Sequence, residues 1–131
     1  MKPTLTRHLA FTAVIALLAL AAAPSGASRA SLGRWDRITF SGPVALPGVV
    51  LPAGSYTFEI ANPETSLRVV RVSDRDTGRV YFAGFTRIVP RPVNLPADQL
   101  VTLGEAPRGA AMPITVWYPS GLSRGHQFIY R

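Results

Sequence analysis

LRVVRVS (67–73), DRDTG (74–78) and RVYFAGFTRI (79–88) form one unbroken stretch, and its reading decides the fold. Two runs rich in Val, Ile, Phe and Tyr flank five residues in which Asp, Thr and Gly favour a turn, so the stretch predicts an antiparallel hairpin. In the second run Val80, Phe82, Gly84, Thr86 and Ile88 fall on one side, and Tyr81, Ala83, Phe85, Arg87 and Val89 on the other. In the first, Val70 and Val72 oppose Leu67, Val69 and Arg71, so apolar residues occupy both faces. That pattern predicts a central strand buried on both sides.

The same grammar extends outward. Tyr56, Phe58 and Ile60 alternate with Thr57 and Glu59, as a half-buried strand requires. Further strands are expected at Trp35–Phe40, Val44–Leu46, Ser55–Ala61, Leu100–Gly104, Ile114–Tyr118 and His126–Tyr130. Pro52-Ala53-Gly54 fits a type I turn. Pro90 and Pro92 around Arg91 force an extended crossing segment. A short helical turn could open only at Pro96–Val101. The chain carries 12 prolines and 11 glycines, nearly all beyond Ala30, at the spacing of short strands and turns. The expected fold is therefore all-β, a single antiparallel β-sandwich of 7–8 short strands.

The first residues follow a different grammar. Lys2 and Arg7 precede the uncharged run Leu9–Ala23, and Pro24, Ser25, Gly26, Ala27, Ser28 and Ala30 follow it. Basic start, apolar run and small-residue zone together read as a secretory signal peptide with a signal helix. A membrane-spanning anchor would need about 20 apolar residues without the small-residue zone. Cleavage is expected after Ala27, where Pro24 breaks the apolar helix just upstream, or after Ala30. The division is thus 1–27 signal peptide and 28–131 β-sandwich domain, exported to a periplasm or the extracellular space. The chain contains no cysteine, which excludes lipid anchoring through an N-terminal cysteine as well as disulfides.

All basic residues except Lys2 and the leader's Arg7 are arginines of the mature part, and they outnumber the seven acids. They are dispersed rather than gathered into a stripe, so no nucleic-acid partner is expected. The mature part has one histidine, His126, which excludes Cys-His catalysis and multi-His metal sites. A serine triad would need His126 with Ser120 or Ser123 and Asp36 or Asp98, and no Gly-x-Ser-x-Gly surrounds either serine. Asp74 and Asp76 open like a calcium loop but lack its remaining ligands, which favours the turn. No cofactor and no metal are expected.

The densest chemistry lies in WYPSGLSRGHQFIYR (117–131), where aromatic rings and arginines could stack on sugars and pair with carboxylates. The candidate ligand-binding residues are Trp117, Tyr118, Arg124 and His126, around the loop Pro119–Gly125. The alternative is burial, with Trp117 and Phe128 as core residues and Tyr118 capping the sandwich edge, and the small size of the domain favours it.

PGVVLPAGSYTF (47–58) resembles the Leu-Pro-x-Gly-x-Tyr strand opening of prealbumin-like and carboxypeptidase-regulatory-like β-sandwich modules. With FSGP (40–43), WYP (117–119) and GHQFIY (125–130), the layout of residues 38–130 is similar to small exported bacterial all-β proteins without an assigned role. That resemblance implies export and an all-β fold, and no catalytic residues. The function expected is a non-catalytic binding module or structural component of the cell envelope, with envelope polysaccharide or another envelope protein as partner. The membrane is met only in transit, through the signal peptide. The alternative is a hydrolase-like or ligand-processing domain centred on His126 and the Pro119–Gly125 loop.

Overall fold

The structure, a computed structural model, describes residues 35–131; the expected signal peptide, its helix and both cleavage positions lie outside the described residues. Among the described residues nine strands follow in chain order: β1 Trp35–Phe40, β2 Val44–Leu46, β3 Val49–Leu51, β4 Gly54–Asn62, β5 Ser66–Asp74, β6 Val80–Pro90, β7 Val101–Leu103, β8 Met112–Trp117 and β9 Arg124–Phe128. No helix occurs among the described residues. Pro96–Gln99 is a turn closed by the Gln99 amide on the Pro96 carbonyl at 3.0 Å.

The strands pair in the order β1-β4-β5-β6-β9-β8-β2-β3, with β7 on the other edge of β8. The hairpin of residues 67–88 forms as read. Asp74 Oδ1 accepts the amides of Asp76 at 2.8 Å and Thr77 at 2.9 Å, and Gly78 takes the left-handed conformation at φ 75°. Between Val72 and Ser73 the register slips against β6. This bulge turns Tyr81 as well as Phe82 toward the core, where Tyr81 meets Tyr56 edge-on at 5.7 Å.

Four expectations change. β5 lies inside the sheet, but only one of its faces is sealed: Val70 and Val72 are fully buried, whereas Leu67 is 39 % exposed. The last strand begins two residues early, because β6 runs on to Pro90 and pairs there with Arg124. Tyr130 leaves the ladder to carry its hydroxyl to the Ile114 carbonyl at 2.7 Å and the Ala45 carbonyl at 3.1 Å. An extra strand, β3, folds back on β2 across Gly48, whose φ is 78°. Finally, the sheet is mixed rather than antiparallel. β3 occupies one edge of β2, and β8 takes the other in parallel, pairing Val44 with Met112 and Ala45 with Pro113. Pro113 has no N–H to donate, which keeps this parallel ladder short.

One cluster of buried side chains draws on both ends of the strand order, including Ile38 and Phe58 from β1 and β4 and Leu46, Leu51 and Trp117 from β2, β3 and β8. The sheet therefore curves round a single core. Phe58 and Trp117, both fully buried, meet at 5.9 Å between ring centroids. Burial of each such ring contributes about 1.5–3 kcal/mol.

Candidate functional site

The four residues singled out in the C-terminal segment do come together, but mostly inside the protein. Trp117 and His126 oppose each other across β8 and β9 with rings 5.4 Å apart, and each is almost completely buried. The Thr86 hydroxyl donates to the Arg68 carbonyl at 2.8 Å, so its oxygen lone pair faces His126 Nδ1 at 3.2 Å. That arrangement assigns the histidine hydrogen to Nδ1. Burial, and secondarily the Arg124 guanidinium, lowers the His126 pKa to about 4, which leaves the ring neutral at pH 7.

Asp36, on β1, is the acid that sequence reading placed only in a hypothetical triad. Its Oδ2 accepts the Trp117 indole N–H and the Ser120 amide, both at 3.0 Å. Asp36 is thereby directed to the indole and the loop, and His126 to Thr86, so the two do not form the relay that a serine triad requires. Tyr118 is buried too. Its ring covers Gly125 so closely that a Cβ there would stand 2.5 Å from Tyr118 Cδ1. The Arg91 guanidinium lies over the Tyr118 ring at 5.3 Å and donates to the carbonyls of Pro96 and Gln99. The Pro119–Gly125 loop is thus tied down by Asp36 from within and by the Arg91 amide on the Ser123 carbonyl at 2.9 Å. Arg124 is half-buried, and its Nε has no hydrogen-bond partner.

Two clefts open elsewhere. One of about 380 Å³ is lined by Pro47, Gly48, Ile129, Tyr130 and Arg131. Another of about 190 Å³ lies between the β1–β2 turn, Leu103 and Met112. Neither includes Trp117, Tyr118, Arg124 or His126. Among the described residues no three of His, Asp and Glu converge as metal ligands would.

A different surface carries exposed chemistry. Along β1, β4, β5 and β6 the inward positions are Ile38, Phe58, Val70, Val72 and Thr86, and the alternate positions point outward. There Trp35 stands opposite Glu59, Glu59 opposite Arg71, and Arg71 opposite Ala83, while Val69 stands opposite Phe85. Phe85 is 68 % and Trp35 56 % exposed. Arg71 Nε donates to Glu59 Oε1 at 2.6 Å. Sequence reading grouped Phe85 with Arg87 but did not single it out. Alternation gave no signal for it, because both phases carry apolar residues, Phe82 and Ile88 beside Thr86, and Tyr81, Ala83 and Val89 beside Phe85.

The chain matches no protein-family model, no curated protein and no solved structure.

Proposed function

We propose that the protein is an exported, non-catalytic component of the cell envelope that acts by binding, through a β-sandwich whose outer face carries the contacts. The partner is an envelope polysaccharide or another envelope protein. The observation that carries this reading is the outward pair of Trp35 and Phe85 beside Arg37, Arg71 and Arg87. Exposed aromatic rings and guanidinium forks on one sheet face offer a ligand both stacking surfaces and paired donors. In the sandwich, β1-β4-β5-β6 would form one layer and β9-β8-β2-β3 with β7 the other. The contact of Phe58 on β4 with Trp117 on β8 supports that division.

The candidate ligand residues divide accordingly. Trp117, Tyr118 and His126 hold the Pro119–Gly125 loop, and Arg124 is the member of that group with a charged head left to offer a ligand at the loop's end. Export is supported by the basic start, the apolar run Leu9–Ala23 and the small residues after it. The direct test is recovery of partners by the tagged exported protein from its own envelope fraction, beside a glycan panel. A specific partner lost on Phe85→Ala is the expected result. Failure to retain any partner would refute the binding role and leave a structural one. Mass spectrometry of the same material should show an N-terminus following Ala27 or Ala30.

A further inference from the structure

The outward face of β1-β4-β5-β6 has a composition that narrows its partner. Arg37 and Arg87 are exposed and take part in no ion pair among the described residues. The one carboxylate of this face, Glu59, is held by Arg71 through both Nε and Nη2. The face therefore carries surplus positive charge in the form of guanidinium forks, which match carboxylates in a two-pronged geometry. Trp35 and Phe85 sit three strands apart, about 15 Å at ordinary strand spacing, with Arg71 on the strand between β4 and β6. Hydroxyls gather at one end of the face, where Thr39 and Ser55 pair at 2.7 Å with Thr57 and Ser73 beside them, while Val69, Val80 and Ala83 supply the small apolar positions between the aromatics.

We infer that this face binds an acidic polysaccharide, with Trp35 and Phe85 stacking on sugar rings and Arg37 and Arg87 meeting its carboxylates. The choice of occupant follows from complementarity. A lipid surface would satisfy the arginines and Phe85 but would strand the Thr and Ser hydroxyls against hydrocarbon. A neutral glycan would leave the guanidinia without counter-charge. An extended polymer of uronate-type sugars offers rings, hydroxyls and carboxylates together, spaced along a chain that can reach from Trp35 to Phe85. The inference rests on the envelope-binding reading and specifies the chemistry of its partner.

The test uses the exported protein with three probes: polygalacturonate, neutral dextran, and vesicles of phosphatidylglycerol. Tryptophan emission reports the face selectively, because Trp35 is exposed and Trp117 is fully buried. Saturable binding of polygalacturonate with a shift of Trp35 emission is expected, and dextran should leave the emission unchanged. The Arg37→Gln, Arg87→Gln double variant and Phe85→Ala should each weaken binding about tenfold, equivalent to about 1.4 kcal/mol. Both alter exposed side chains, and unchanged melting temperatures would show that folding is intact. Equal binding of dextran would overturn the acidic specificity while leaving the envelope-binding reading in place. Preference for the vesicles would also overturn it, in favour of a lipid surface. Polygalacturonate binding that ignores both variants would reduce the effect to the chain's general positive charge and overturn it as well. Absence of binding to any probe overturns it too, and partner recovery from the envelope then decides the broader reading separately.

Discussion

Asp36 is a carboxylate turned inward on an edge strand, where a charge normally destabilises. It is tolerated because two N–H donors, from Trp117 and Ser120, converge on one oxygen. Asp36→Ala should therefore cost about 3 kcal/mol in urea unfolding, since it strands both donors, whereas Asp36→Asn should cost less. An inward charge also makes β1 a poor template for another chain's strand. His126 yields a pH dependence. Its folded pKa of about 4 lies below the ordinary 6.5, so below pH 6.5 the unfolded chain takes up a proton that the folded one does not. Stability should fall as pH drops from 6.5 to 4, by up to about 3 kcal/mol. His126→Gln should remove that dependence in denaturation curves measured across this range.

Among the elements, β4 was legible because it writes its burial into alternate residues, as Tyr56, Phe58 and Ile60 show, and β5 and β6 because two apolar β-branched and aromatic runs flank one turn. The turn at Asp74–Gly78 was legible for its chemistry. Gly78 holds φ 75° with open space where a Cβ would stand, so Gly78→Ala costs conformational energy alone, about 1 kcal/mol. Thermal unfolding of that variant should shift down by a few degrees, with the far-ultraviolet spectrum unchanged. β3 was hidden because Val49–Leu51 is three residues long and abuts Pro47, Gly48 and Pro52, which read as one loop. The outward face was hidden for another reason: a period of two shows that Phe85 and Thr86 point apart, but not which of them faces the core.

For the whole molecule, the pairing of β2 with β8 could not be read from sequence, since it joins residues nearly seventy positions apart without a local signal. The Tyr130 hydroxyl, raised to a pKa of about 12 by burial, spans the two strands through the Ala45 and Ile114 carbonyls. Tyr130→Phe should destabilise by about 1 kcal/mol and speed amide exchange in β2 and β8 while sparing the β4–β5–β6 ladder. The candidate site followed the same division. The sequence located a dense aromatic segment, but not the partners that hold it, Asp36 for Trp117 and Ser120 and Thr86 for His126, which lie 40 or more positions away.

The bond between Asp36 and Trp117 closes 81 positions of chain, and this sets an order of events. In the export proposed above, the chain would cross a membrane from its N-terminus and present β1 first and the indole much later. Hairpins such as β4–β5 and β5–β6 can zip as they emerge, because their contacts are local. On that reading β1 could pair with β4 early, but the Asp36 carboxylate would stay hydrated until residues 117–120 were through. A chain stalled short of Trp117 would then leave the Asp36 carboxylate without its two donors, and its first strand would be the part most open to proteases.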